Sequence, residues 1–467
     1  MKNCILLIAL LVMVGSGHGA NHIDDRAVLF EGARLITGED ERPIEDSAFL
    51  VKGTRFAYVG NRGEIEFPND IRRVDLSGKT VMPGLIDTHT HIGYERYSNV
   101  IPEWAQIDSS GRGLFNYGPQ NFTYDNIIDH LSRLAYSGVS ATWSAGYEFG
   151  EAPYKIRDEI LAGEHPDVAR YYPAGPGITT REAIVSSWAR QSAFGVGTEA
   201  EARAAVARLA GWGVTQLKLW PHVNPAMSSV VYRAVIDEAQ KYGIRVGFHP
   251  TSLLSSEEMI RAGAKIILHP SFELDSKLVK EYRPYTALTS AGGRREFYAP
   301  FLHPPDPLLA ELVDPVHLKL LQNRYPNPKA EIREKSKAYW NTYVAKVGNL
   351  RAAGMRFALG SDSGGVSRNN LIGWATHLDM ENMVAAGFTP AEVIIAATKI
   401  SAESLRLDDL GLIAPGKEAA FVVLDANPLE DITNTRRINR VYLRGQEVDR
   451  AGMRARWIKS WPSGKSE

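Results

Sequence analysis

Cysteine is almost missing. Among 467 residues there is one, Cys4. It stands before the apolar run Ile5–Val14, whereas a lipid-bearing cysteine has to follow such a run. Once the first segment is removed no thiol remains, which excludes disulfides and thiolate ligands. Any metal then has to be held by nitrogen and oxygen. Net charge is missing too: 53 Lys and Arg against 54 Asp and Glu leave -1. That excludes the basic footprint of a nucleic-acid binder and favours a small-molecule substrate. No apolar run after the first approaches bilayer length, and there is no internal repeat or low-complexity tract. What remains is ordinary for a folded protein, with 44% hydrophobic and 23% charged residues.

The first twenty residues stand apart. Met1-Lys2-Asn3 gives a short basic start, Ile5–Val14 an apolar core, and Gly15–Ala20 a stretch of small residues interrupted by His18. This is the pattern of a cleaved signal peptide over residues 1–20, with Gly19 or Ala20 at the cleavage site. It predicts a periplasmic or secreted protein with no membrane segment after processing.

The rest reads as two kinds of structure. Ala27–Phe30, Ala48–Val51, Arg55–Val59 and Arg72–Asp75 are β-like runs between turn residues, and so are Ala419–Leu424 and Arg440–Val441-Tyr442-Leu443 near the end. Residues 21–82 and 413–467 are expected to form one composite β-sandwich. The middle, 83–412, alternates strand and helix. Its strands are Ser140–Ser144, Ala169–Pro173, Gln216–Trp220, Arg245–His249, Lys265–His269 and Arg356–Leu359, with Tyr285–Leu288 the weakest. Glu199–Ala210 and Tyr232–Lys241 are amphipathic, and Ser255–Glu258 and Thr389–Glu392 read as capping boxes. Such alternation predicts an α/β fold, a (β/α)8 TIM-like barrel. Residues 276–345, rich in proline and charge, read as an irregular insertion of the sort that covers active sites or forms a long loop.

The strand ends carry the chemistry, because a barrel gathers them at one mouth. His89 and His91 end VMPGLIDTHTHI, and their spacing of two puts both imidazoles on one face of a strand. Lys218 sits inside the apolar run Leu217-Lys218-Leu219, where an ammonium is costly. It reads as a rim lysine reaching for solvent, or as an amine that takes up carbon dioxide to give a two-oxygen carbamate (N6-carboxylysine). His249 and His269 each close a β-like run and each precede proline, which holds them extended. Asp362, in Gly360-Ser361-Asp362-Ser363-Gly364, suits both a turn and a metal ligand. Together these residues predict metal-dependent hydrolysis. Two divalent ions, or one, would activate a water, and Asp362 would take its proton and return it to the leaving nitrogen or oxygen.

These segments resemble the amidohydrolase superfamily, and within it the imidazolonepropionase-like branch that includes prolidase-type enzymes. The resemblance rests on Val81–His91, Ala358–Gly364, Gly387–Glu392 with Ala397-Thr398, and Gly411–Ala420. It implies a barrel with a composite β-sandwich and one or two metals, usually zinc. His89, His91 and Asp362 would hold the more buried ion, carboxylated Lys218 would bridge, and His249 and His269 would hold the second. The chain departs from the family in having His249-Pro250 and His269-Pro270 at the fifth and sixth strands, which puts ordinary dipeptide specificity in doubt. His222 and His377 are weaker candidates for substrate contact; a loop role for His222 and a structural role for His377 are the simpler readings. Trp143, Tyr147 and Trp220 follow barrel strands and fit either the core or an apolar pocket.

The expected activity is cleavage of amide-type C–N bonds in peptide-like, N-acyl amino acid or cyclic amide substrates. The rivals are a lactone, ester or phosphotriester hydrolase on the same site, and a non-catalytic exported binding protein. A homo-oligomer is compatible with the sequence.

Overall fold

The structure, a computed structural model, describes residues 27–96, 116–117, 121–186, 193–221, 226–250, 256–289, 306–315, 318–319, 322, 330–364 and 371–460. The expected signal segment, His222 and Ser255 of the Ser255–Glu258 capping site lie outside them.

The chain opens with short strands: β1 (Val28–Glu31), β2 (Arg34–Leu35), β3 (Ser47–Lys52), β4 (Arg55–Asn61), β5 (Arg72–Asp75) and β6 (Thr80–Pro83). Then comes β7 (Leu85–Thr90), followed by a small antiparallel ribbon of β8 (Glu95–Arg96) and β9 (Asn116–Tyr117). The central strands are β10 (Val139–Ser144), β11 (Arg170–Pro173), β12 (Gly177–Thr180), β13 (Ala193–Val196), β14 (Gln216–Leu219), β15 (Arg245–Phe248), β16 (Ile266–Ile267), β17 (Tyr285–Ala287) and β18 (Arg356–Ala358). The chain returns through β19 (Phe421–Leu424), β20 (Ile438–Leu443) and β21 (Gln446–Glu447).

Both chain ends build the β domain. β4-β3-β1-β5 form one sheet, and β2-β6-β19-β20-β21 the other, so N-terminal and C-terminal strands share an edge. The alternating apolar residues of the two sheets meet in an aromatic core. Phe30 stacks on Phe49 at 4.9 Å, Phe421 meets both edge-on, and Tyr442 stacks on Phe421 at 4.4 Å. Such geometry adds to the burial of each ring.

The central strands are parallel. β7, β10 and β14 are buried at every residue, as parallel strands covered on both faces should be. They run in two sheets, β11-β10-β7 and β13-β12-β14-β15-β16-β17-β18. The chain itself links β11 to β12 across Ala174–Pro176. At the other side the segment after β18 bonds to β7: Thr88 N–H donates to Leu359 O (2.9 Å), Asp362 N–H to His89 O (2.6 Å) and His91 N–H to Ser363 O (2.7 Å). Trp143, fully buried on β10, lies against β15 where Gly247 has no side chain; a Cβ there would collide with the indole.

Helices between strands start where sequence chemistry stops the preceding loop. Thr198 and Thr389 make complete capping boxes with Glu201 and Glu392, and Thr123 caps the helix Tyr124–Tyr136. Two expectations need correction. β12 and β13 are extra strands, each only four residues long and so too short to stand out. The stretch expected to be irregular holds the helices Ser276–Tyr282, Pro307–Leu312 and Ala330–Ala352. The last runs 23 residues, contains no proline, and buries Trp340, Val347 and Leu350 on one face.

Asp87 holds the β7 and β18 ends together. It is fully buried. Its carboxylate accepts from Ser361 N–H (3.0 Å), Ser361 Oγ–H (2.6 Å), Thr376 Oγ1–H (2.8 Å) and His89 N–H (3.2 Å). Burial pushes its pKa up to about 6, against the pull of those four donors. We predict that Asp87→Ala lowers unfolding free energy by roughly 3 kcal/mol or more, because it strands buried donors. Asp87→Asn, which keeps an acceptor, costs less. Urea unfolding midpoints check this; an unchanged midpoint for Asp87→Ala contradicts it.

Candidate metal centre

The strand ends bring five of the six expected ligands into direct contact. His91, His89, His269 and His249 form a row of rings with centroids 5.4, 5.1 and 4.4 Å apart. Asp362 lies against the first two, its Oδ1 3.0 Å from His91 Nε2 and 3.3 Å from His89 Nε2. Ligand atoms of His89, His269 and Asp362 all fall within 4.8 Å of one another. Lys218 on β14 is buried, and its charge acts on both Asp362 and His89. Its Nζ stands 5.2 Å from the centre of the Trp220 ring.

Local structure explains each placement. His89 and His91 point the same way because β7 alternates. His249 N–H bonds Leu219 O at 3.0 Å and Leu268 N–H bonds Phe248 O at 3.0 Å, so β14, β15 and β16 end in step. Asp362 sits at φ 58°, a left-handed conformation that aspartate tolerates better than most residues, and its N–H reaches His89 O.

Hydrogen bonding fixes which nitrogen of each imidazole faces inward. Thr289 Oγ1 spends its proton on Leu268 O (3.2 Å), so at 3.4 Å it accepts from His89 Nδ1–H. Gly146 O can only accept, and it lies 3.5 Å from His91 Nδ1. With Nδ1 so engaged, Nε2 of each ring faces an Asp362 carboxylate oxygen, at 3.0 Å for His91 and 3.3 Å for His89. A proton or a cation between ring and carboxylate makes that contact favourable. Bonds of this kind at the far ring nitrogen orient metal-binding histidines.

Electrostatics point the same way. Burial holds His89 well below the usual imidazole range, outweighing Asp362 opposite, so the ring stays neutral and able to ligate. Partial burial would raise the Asp362 carboxyl. The neighbouring His89, His91 and His269 overcome that and hold it well below the usual carboxylate range. About a quarter of the Asp362 side chain remains exposed, open to a substrate. Burial brings Lys218 down to about 7 against the pull of Asp362, so a good share of its amine is neutral near pH 7. The donor set is nitrogen and oxygen only, arranged around a carboxylate, and it fits a divalent ion.

His377 takes the simpler, structural reading. It is fully buried on the helix Trp374–Ala385, with Nε2–H donated to Ser137 O at 2.9 Å and Nδ1 3.0 Å from Thr435 Oγ1. Burial takes its pKa down to about 4, and the ring pins that helix to the segment Ile432–Arg436 rather than meeting substrate. Trp143 belongs to the core. Tyr147 and Trp220 do stand at the centre: Tyr147 packs on His91 at 4.6 Å and stacks between Tyr94 (4.3 Å) and Trp220 (4.9 Å). Tyr94, Thr289 and the Gly146 carbonyl carried no sequence signal, since their roles arise from loops that meet only after folding.

The Amidohydrolase family model matches residues 80–448. An imidazolonepropionase of Pseudomonas putida is 30% identical over 156 residues, 33% of this chain and 32% of that protein. An N-substituted formamide deformylase of Arthrobacter pascens is 30% identical over 112 residues, 24% of this chain and 18% of that protein. The chain thus aligns with a third or less of the length of these curated relatives. The solved structure of a Xaa-Pro dipeptidase with methionine in its active site superposes with a TM-score of 0.69 at 22% identity, over 90% of this chain and 99% of that one. That likeness is one of fold, and it implies a (β/α)8 barrel carrying a β domain, in keeping with the parallel strands above. With the family model covering most of its length, the chain belongs to the amidohydrolase family.

Proposed function

We propose that this protein is an exported, metal-dependent hydrolase of amide-type C–N bonds, acting on peptide-like, N-acyl amino acid or cyclic amide substrates. The observation that carries the reading is the Asp362 carboxylate lying 3.0 and 3.3 Å from two inward-facing imidazole nitrogens. Export rests on the signal pattern of residues 1–20. The division into residues 21–82 with 413–467 and 83–412 rests on the shared sheet of β2, β6 and β19–β21.

In this reading His89, His91 and Asp362 would hold one ion, and His249 and His269 a second. Zinc is the natural choice for such a nitrogen and oxygen set. When bound, a divalent cation brings the pKa of water toward neutrality and polarises a substrate carbonyl. Lys218, whose burial favours the neutral amine, adds carbon dioxide with loss of one proton, and the resulting carbamate gives the two halves of the site a shared anionic ligand. Asp362, ionised and partly exposed, takes the proton released as water attacks the carbonyl carbon. It then returns that proton to the leaving nitrogen as the C–N bond breaks. His89 stays neutral throughout, because burial opposes its charging. The Tyr94, Tyr147 and Trp220 rings border the His91 side of the centre and limit water there.

Two substitutions test the assignment. Asp362→Asn retains metal but lowers turnover roughly a hundredfold or more, the usual loss for a missing general base. Steady-state rates beside metal analysis read this, and wild-type turnover would remove Asp362 from proton transfer. Lys218→Ala binds less metal, and short carboxylic acids partly restore it. Full metal occupancy in that variant, with no response to added carboxylate, contradicts the carbamate.

A further inference from the structure

On the His91 side the chain leaves β10 through Gly146, Tyr147 and Glu148, and this turn is held under constraint. Tyr147 has φ 82°, a conformation bulky residues avoid unless the surroundings impose it. Gly146 has φ 102°, and a Cβ on either Gly146 or Gly177 would collide with Trp220. The indole is therefore wedged between two stretches of backbone. The turn touches His91 twice, through the Gly146 carbonyl at Nδ1 and through the Tyr147 ring against the imidazole.

Glu148 holds the turn from behind. Its side chain is fully buried, and its carboxyl is set among the Ser144 hydroxyl and the backbone amides of Gly146, Glu148 and Gly175. The Tyr154 hydroxyl oxygen is buried with no hydrogen-bond partner among the described residues, and the Tyr171 hydroxyl meets the Ser144 side chain. These groups share one compact region: burial raises the pKa of Tyr147, Tyr154 and Tyr171 first, and the Glu148 charge raises each further. Burial likewise holds the Glu148 carboxyl well above its usual range, despite the nearby Ser144 hydroxyl and the amides of Gly146, Glu148 and Gly175. A protonated carboxyl and two phenols offer donors and acceptors together.

We propose that Glu148 is a positioning residue. Through its carboxyl, set among the Ser144 hydroxyl and the Gly146 and Gly175 amides, it locks the Gly146–Tyr147 turn against His91 and so sets how firmly His91 grips the metal. This rests on the metal-centre reading above.

The test is zinc affinity of the full chain, measured by competition with a chromogenic chelator. Glu148→Ala weakens zinc binding roughly ten- to a hundredfold, the size of effect expected for a group that orients a ligand, while Glu148→Gln, which keeps a donor and an acceptor, stays within about threefold of wild type. Val423→Ala, in the core of the β domain, controls for lost stability: it lowers the melting temperature without moving zinc affinity. If Glu148→Ala does not fold, Tyr171→Phe replaces it and is expected to weaken zinc binding severalfold. Zinc affinity unchanged in the folded variant, or lowered equally by Val423→Ala, overturns the positioning role alone. A wild type that binds no zinc overturns the metal centre itself.

Discussion

The centre depends on the register between two adjacent strand ends, β7 and the segment after β18. Slipping either by one residue would turn His89 and His91, or Asp362, to the opposite face. Three backbone bonds set that register, and the one from Asp362 N–H to His89 O joins two proposed ligands directly. Asp87 locks it by gathering four donors from both sides of the junction onto one buried carboxylate. The cost of burying that charge shows in its raised pKa. A fold that needed only a stable core would gain more from an apolar residue there. The polar latch makes sense where orientation matters more than stability.

Given that register, the electrostatics of the centre follow from burial. His89 is kept neutral, Lys218 is moved toward neutrality, and Asp362 is kept ionised. Each is the state that a ligand or proton acceptor needs. Thr289 and Gly146, by taking the outer ring protons, turn Nε2 of His89 and His91 toward the carboxylate. The site is thus preorganised by neutral hydrogen bonds around it, and the aromatic stack of Tyr94, Tyr147 and Trp220 shields one side.

Much of this was legible from the sequence, for a physical reason. Ligands at strand ends leave a local trace: His89 and His91 by their spacing of two, His249 and His269 by the proline that follows, Lys218 by its apolar neighbours, Asp362 by its small ones. The two-ended β domain was legible because its strands alternate. Features that depend on distant loops left no trace. Thr289 comes to His89 from 200 residues away, and nothing local marks it. Tyr147 looks like any aromatic after a strand, and nothing in its neighbours announces its left-handed backbone. The long helix Ala330–Ala352 was hidden because prolines just before it suggested irregular chain. His377, read as structural, spends its ring in joining a helix to the C-terminal segment.

The central claim is that these side chains share metal at one mouth. Anomalous diffraction at the zinc edge, from crystals of the zinc-loaded full chain, tests it most directly. The account predicts density bounded by His89, His91 and Asp362, with a second peak beside His249 and His269 when both positions fill. Zinc bound elsewhere on the surface, with these side chains unchanged and no peak among them, would contradict it.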